Sequence, residues 1–137
     1  MAVESIRFAL DTRGRNDVLD LTSRVADAVS RARPAAGTVT VFVPGSTAGI
    51  TTIEFEPGLV TDLGRALERL VPAHAAYEHN RYDDNGHAHV MASLIDPSVT
   101  VPFADRALLL GTWQQIVLVD FDTHPRRREV ICQIVGE

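Results

Sequence analysis

Three of the chain's five histidines, His79, His87 and His89, lie within eleven positions, on either side of an acidic turn at residues 83–86. Neutral imidazole nitrogens are the commonest transition-metal ligands in proteins, and nearby carboxylates or amides can complete the shell of a zinc or iron ion. The same rings can act as a general base near neutral pH. The alternative is that they are ordinary core or surface histidines, and spacing alone leaves both interpretations open.

A short loop rich in glycine and hydroxyl groups, Gly-Ser-Thr-Ala-Gly at residues 45–49, separates two β-branched runs. Its backbone N–H groups and the hydroxyls of Ser46 and Thr47 are the components of an anion-binding nest. The loop is not a P-loop, because the lysine that follows a P-loop glycine is missing. A simple turn between strands is the alternative.

Three consecutive arginines follow a proline at residues 126–128. Neighbouring side chains of a strand point to opposite faces, so at most two of these arginines could bind one phosphate. We therefore predict that Arg126 joins Ser46 and Thr47 in anion capture. The alternative is a solvated charge cluster that protects a strand edge.

The other residues with chemical potential have simpler interpretations. His74 follows a helix stop and is predicted to lie at the surface. Trp113 is predicted to lie in the core or in an interface, with ligand stacking as the alternative. Cys132 alternates with Val130 and Ile134, which predicts a buried apolar side chain and not a nucleophile.

Hydrophobic spacing predicts the elements of the first half of the chain. Alternation predicts a strand at residues 5–11, and β-branched runs predict strands at residues 38–43 and 50–55. Helical spacing predicts one helix over residues 17–32, capped by Asn16, and a second that begins at Pro57 and ends before Pro72.

The second half is mostly strand-like. Residues after Gly86 fit either a strand or a short helix capped by Asn85, and we prefer the helix, ended by Asp96 and Pro97. Four strands are then predicted at residues 98–103, 107–110, 113–121 and 128–135. Because they follow one another without helices, they should pair antiparallel, and the class is α+β with helices covering one face of a mostly antiparallel sheet.

Composition limits the kind of protein. A chain of 137 residues, 45% of them hydrophobic, is sufficient for one compact domain spanning residues 1–137. A net charge of −5 gives no general attraction to nucleic acid or to anionic membranes. The single cysteine excludes an internal disulfide framework, and no apolar run is long enough for a signal core or a membrane span. We expect a soluble cytoplasmic protein.

Several separate motifs, in order along most of the chain, resemble the YjbQ family. They are PGSTAGITTIEFEPGLVTDL, YEH with NGHAHVMASL, SVTVPF, LLLGTWQQIVLVDFD and PRRREVICQIVGE. The resemblance implies an α+β domain with a β-sandwich-like core and two to three covering helices, assembled as a cytoplasmic homotrimer. Members are often labelled secondary thiamine-phosphate synthases, which join a pyrimidine diphosphate to a thiazole phosphate.

The resemblance also identifies individual positions. The family histidines of the Tyr-x-His and Ala-His segments match His79 and His89, and an acidic family position matches Glu54. A third family histidine opens the loop where this chain has Gly45. Because His87 lies two residues before His89 beside the flexible Gly86, we predict that His87 takes over that ligand position.

These observations combine into one functional hypothesis. His79, His89 and Glu54 are the predicted catalytic residues, and His79, His87 and His89 the predicted ligands of a possible divalent zinc, iron or magnesium ion. The expected substrate is a small anionic or phosphorylated metabolite, with no nucleic acid or membrane as partner. A non-catalytic metal- or metabolite-binding protein is the alternative, and a purely structural interaction protein is the third possibility.

Overall fold

A computed structural model describes all residues from Met1 to Glu137. The strands are β1 (Ala2–Thr12), β2 (Asp17–Asp20), β3 (Gly37–Phe42), β4 (Ala48–Ile53), β5 (Ser98–Ala104), β6 (Ala107–Leu108), β7 (Gln115–Asp120) and β8 (Arg126–Gly136). The helices are α1 (Thr22–Arg31), α2 (Pro57–Leu70) and α3 (Gly86–Ile95), with one 3-10 turn at Glu78–Arg81. None of the helices has the length and apolar character needed to cross a lipid bilayer.

The strands form two sheets in which every neighbouring pair is antiparallel. The larger sheet has the order β1-β8-β3-β5-β6 and the smaller one the order β2-β7-β4. The predicted α+β class with antiparallel pairing is confirmed.

The main core lies between the two sheets. Val39 and Val41 of β3 and Cys132 of β8 share one buried cluster with Ile116 and Leu118 of β7. Helix α1 adds Val25 and Val29 to the same cluster. The inward faces of both sheets therefore pack on one another, as in a sandwich.

A second core covers the other face of the smaller sheet. Val117 and Val119 of β7 pack there with Leu67 of α2 and Met91 of α3. Strand β7 is thus buried on both faces, which explains why the stretch from Ile116 to Val119 is apolar without alternation.

The first predicted helix was wrong at its start. Residues 17–20 form β2 and pair with β7, and α1 begins only at Thr22. Asn16 is not the helix cap, because its backbone has a φ of 65° in a turn that precedes β2. The start of α1 is instead held by Asp20, whose carboxylate accepts hydrogen bonds from the backbone N–H and the hydroxyl of Thr22.

The predicted helix after Gly86 is confirmed as α3. It ends at Asp96, where the backbone turns to a φ of 78°, immediately before Pro97. Asn85 precedes the helix as predicted, but its side chain makes no capping hydrogen bond and is used elsewhere.

Candidate functional site

Two buried carboxylates lie where β7 ends. Asp120 and Asp122 are fully or almost fully buried, although the strand before them is apolar. Arg128, which enters from β8, donates to both oxygens of Asp120 at 2.7 and 3.0 Å. Buried charges persist when they are paired and hydrogen-bonded, and this pairing satisfies the condition for Asp120.

Asp122 connects the segment at residues 45–49 to this ion pair; its last two residues, Ala48 and Gly49, belong to β4 and not to a loop as predicted. Its Oδ2 accepts from the hydroxyl of Thr47 at 2.9 Å and from Arg126, and the Thr47 hydroxyl accepts from Arg128 at 2.7 Å. Burial raises the pKa of Asp122, but hydrogen bonds from the Thr123 backbone, Thr47 and Asn85, with the charge of Arg126, outweigh it and hold that pKa below its usual range. Asp122 is therefore a fixed anion behind the loop.

Asn85 links Asp122 to His79. The Asn85 amide nitrogen donates to Oδ1 of Asp122 at 3.4 Å, which directs the amide oxygen toward Nε2 of His79 at 3.0 Å. A carboxylate only accepts, so this orientation of the amide is the one that satisfies both contacts. In the neutral ring, Nε2 of His79 then carries the proton and Nδ1 keeps its lone pair.

The rings of His79 and His89, two of the residues predicted for the site, lie next to each other. Their ring centroids are 4.6 Å apart in an edge-to-face arrangement. The His79 side chain is 46% exposed, so its ring is accessible to a ligand. The free Nδ1 lone pair beside a second imidazole is suited to accepting a proton or a hydrogen bond.

A cavity of about 240 Å³ opens beside His89. It is lined by Gly45, Ser46, Ala48, His89, Ala92, Ser93 and Pro97. Gly45 has a φ of 120°, and a β-carbon there would lie 3.2 Å from Nη1 of Arg128. That nitrogen makes no hydrogen bond within the chain, whereas Nε and Nη2 of the same guanidinium do. Because position 45 is a glycine, Nη1 of the buried Arg128 guanidinium can lie against the loop.

The predicted anion-binding residues have unequal positions. Ser46 is exposed at the cavity, but the Thr47 hydroxyl is buried in the contacts described above. Arg126 forms an ion pair with Asp122, through Nη2 at 3.0 Å and Nε at 3.1 Å. Arg128, not Arg126, is the arginine that lies against the loop.

The three predicted metal ligands are not gathered in one place. His87 is buried in the wall of a different cavity, and its ring centroid lies 6.4 Å from that of Tyr77. No group of three His, Cys, Asp or Glu side chains is arranged to hold a metal ion. The arrangement therefore does not supply the three-histidine site, and metal binding stays a prediction.

Glu54 and Trp113 also lie apart from the histidine pair. Both line a separate shallow pocket with Phe55. Trp113 is 73% exposed, so the core position considered for it was wrong, whereas Cys132 is fully buried as predicted. Burial raises the pKa of the Cys132 thiol to about 11, which fits an inert side chain.

Sequence reasoning missed Asn85 and Asp120 as parts of the site. Asn85 was interpreted as a helix cap, and no local pattern shows that its amide bridges two segments. A signal for Asp120 did exist, because a carboxylate that ends a doubly buried apolar strand must find a cation.

Comparison with known proteins gives a consistent family. Residues 6–137 match the family model described as UPF0047 protein YjbQ-like. A UPF0047 protein of Archaeoglobus fulgidus is 38% identical over 93% of this chain and 98% of its own length, and one from Mycobacterium tuberculosis is 40% identical over 87% and 96%.

Solved structures agree with the sequence matches. The crystal structure of a YbjQ-like protein of unknown function from Sulfolobus solfataricus superposes with a TM-score of 0.96, at 30% identity and 99% coverage of both chains. A hypothetical protein from Aeropyrum pernix gives a TM-score of 0.92 at 34% identity, covering 98% of this chain and 99% of its own. Since the family model and these relatives cover almost the whole sequence, the chain belongs to the UPF0047 family of YjbQ-like proteins.

Proposed function

We propose that the protein is an enzyme that acts on a small phosphorylated metabolite at the site formed by His79, His89 and the Gly45–Ser46 side of the loop. The observation that carries the proposal is that Nη1 of Arg128, which makes no hydrogen bond within the chain, lies against Gly45. Gly45 lines a cavity together with Ser46 and His89. A guanidinium N–H, a hydroxyl and an imidazole are suited to phosphate oxygens.

The chemistry that we propose is the thiamine-phosphate-synthase-like reaction expected from the family resemblance. A thiazole nitrogen would donate its lone pair to a pyrimidinylmethyl carbon, and pyrophosphate would leave with the electrons of the broken C–O bond. Arg128 and Ser46 would stabilise the negative charge that develops on the leaving group. The Nδ1 atom of His79 would accept a hydrogen bond from the substrate, because Asn85 holds the ring by its other nitrogen.

A non-catalytic metabolite-binding protein is the second candidate. The observation in its favour is that the cavity, at about 240 Å³, is below the range of typical small-molecule sites and so has room for one small anion and not for two substrates. Formation of thiamine phosphate from the two phosphorylated precursors, lost in His79→Ala and His89→Ala, separates catalysis from binding alone.

Calorimetric titration with pyrophosphate tests the anion pocket. Ser46→Ala should weaken binding by about fivefold, the effect of one lost hydrogen bond. Gly45→Ala should weaken it because the added methyl group lies against Nη1 of Arg128 and because alanine is strained at a φ of 120°. Gly64→Ala is the control, since a β-carbon there meets no atom within 4 Å.

Arg126→Ala distinguishes the two arginines. If Arg128 supplies the charge, Arg126→Ala leaves the pyrophosphate affinity nearly unchanged. A large loss in Arg126→Ala, with no loss in Ser46→Ala and Gly45→Ala, would place the anion elsewhere and contradict the proposal.

Homotrimeric assembly and a cytoplasmic location are also part of the proposal. Support for assembly comes from Trp113 and Phe55, which line one shallow pocket and are 73% and 42% exposed. Exposed aromatic side chains of this kind are enriched in protein interfaces. The cytoplasmic location rests on the single cysteine and stays a prediction.

A further inference from the structure

A larger cavity is separate from the proposed anion pocket. It has a volume of about 890 Å³ and lies between α3, the segment that follows α2 and the corner after β7. None of its lining residues belongs to the loop at residues 45–49, and neither His79 nor His89 lines it. Its volume is in the range of sites that hold small organic molecules.

His87 is an unpartnered polar side chain in the wall of this cavity. The residue is only 7% exposed, and Nδ1 is buried without any hydrogen-bond partner. Nε2 makes no hydrogen bond within the chain either, and it is the ring nitrogen that reaches the cavity, since Nδ1 is fully enclosed. Most buried polar groups in proteins are satisfied, so an unpartnered imidazole in the wall of a cavity is a candidate contact for a bound molecule.

Carboxylates dominate the charge around the cavity. Glu68, Asp83 and Asp84 line it together with one arginine, Arg15, so three negative charges against one positive charge leave two negative charges with neutral histidines. The wall therefore repels phosphates and attracts cations.

Two of these carboxylates are held in place with one oxygen free. The Glu68 carboxylate accepts from the Ala73 backbone through Oε1, and the Asp83 carboxylate accepts from the Asp84 backbone through Oδ1. The second oxygen of each makes no hydrogen bond within the chain; for Asp83 its nearest basic group is Nε2 of His79 at 4.0 Å. Asp84, by contrast, is already engaged by Thr123 and by His124 at 3.4 Å.

We propose that this cavity binds a small organic dication of the diamine class. Ammonium groups donate to the free oxygens of Glu68 and Asp83, and Nε2 of His87 accepts a further hydrogen bond. The two positive charges of a diamine match the two excess negative charges of the wall. A metal ion does not fit, because no three ligating side chains converge.

Calorimetric titration of the full-length protein with diaminobutane at low ionic strength tests this site. Wild type should bind diaminobutane more tightly than the monoamine butylamine. Glu68→Gln combined with Asp83→Asn should weaken diaminobutane binding by about fivefold or more, since each removes an exposed ion pair. Asp62→Asn, a change on the exposed face of α2 outside the cavity, should have no effect.

His87→Phe, which keeps the ring volume but removes both nitrogens, should weaken diaminobutane binding by about fivefold. If circular dichroism shows that His87→Phe does not fold, the double carboxylate variant decides by itself. Absence of diaminobutane binding, unchanged affinity in the double variant, or binding of zinc but not of the diamine would each overturn the proposal.

The same titration separates this site from the anion pocket. Gly45→Ala should leave diaminobutane affinity unchanged, and pyrophosphate should not compete with the diamine. In the wild-type protein, absence of pyrophosphate binding with intact diamine binding contradicts only the proposed function, and absence of diamine binding with intact pyrophosphate binding contradicts only the second site.

Discussion

Arg128 holds a buried carboxylate and is the residue on which the stability of the site depends most. Its removal in Arg128→Ala leaves Asp120 as an uncompensated buried charge, so the free energy of unfolding should fall by about 3–5 kcal/mol. Arg127→Ala is the matched control, because the adjacent Arg127 makes an exposed ion pair with Asp11 that is worth less than about 1 kcal/mol. Urea denaturation measures both, and equal losses would contradict the buried network.

The lowered pKa of Asp122 predicts how the free energy of unfolding changes in acid. Its pKa is lowered in the folded state from an ordinary value of 3.8, so its contribution is complete above that pH and is lost as the pH falls through the lower folded-state pKa. Urea denaturation at a series of acidic pH values should show a decline for wild type that is shallower in Asp122→Asn. Asp62 makes no hydrogen bond within the chain, so Asp62→Asn should keep the wild-type slope. Identical slopes in all three proteins would refute the role of Asp122.

Sequence analysis identified part of the candidate site but not the residues that hold it in place. The pair of His79 and His89 was predicted, but His87 does not join it. Successive residues of an α-helix turn by about 100°, so side chains two positions apart point in nearly opposite directions. Only a strand would have placed His87 and His89 on one face. Arg128, Asn85 and Asp120 act through contacts between distant segments, which local patterns do not report.

The approach of α3 to β4 requires a glycine at position 49. A β-carbon there would lie 2.9 Å from Cγ2 of Ile95 and 3.0 Å from the carbonyl oxygen of Asp96. Gly49→Ala should therefore lower the free energy of unfolding by about 1–3 kcal/mol. Gly64→Ala in α2 should instead raise it by about 0.5–1 kcal/mol, because the helix gains propensity without a clash. Thermal or urea denaturation of the two variants should give changes of opposite sign, and a neutral Gly49→Ala would contradict this packing.

Most elements were predictable because their apolar residues follow the spacing of a helix or of a strand. Helix α2 and strands β3 and β5 follow it closely, and Pro57 begins α2 as expected, whereas β4 lies two residues before its predicted position. Residues 17–20 show why local spacing has limits. Val18 and Leu21 have helical spacing. Residues 17–20 nevertheless pair with the buried strand β7 as β2, and Val18 packs in a different core from Leu21. Tertiary pairing decides such short segments.

Assembly of the whole molecule is tested by light scattering. The trimer proposal predicts a species of three times the 14.9 kDa chain mass at micromolar concentration. Trp113→Ala should shift the protein toward smaller species if the exposed indole lies in an interface. Tyr82→Ala is the control, since Tyr82 is 93% exposed and lines none of the pockets described above. A wild-type mass of one chain would contradict the trimer.

The most direct test of the central claim is nitrogen-15 NMR of the histidine rings of the intact protein during titration with pyrophosphate. We predict that free His79 carries its proton on Nε2, that this tautomer is lost in Asn85→Ala, and that pyrophosphate shifts the resonances of His79 and His89 but not those of His87 and His124. Shifts confined to His87 and His124, or no shift in any ring at saturating pyrophosphate, would contradict an anion site beside the His79–His89 pair.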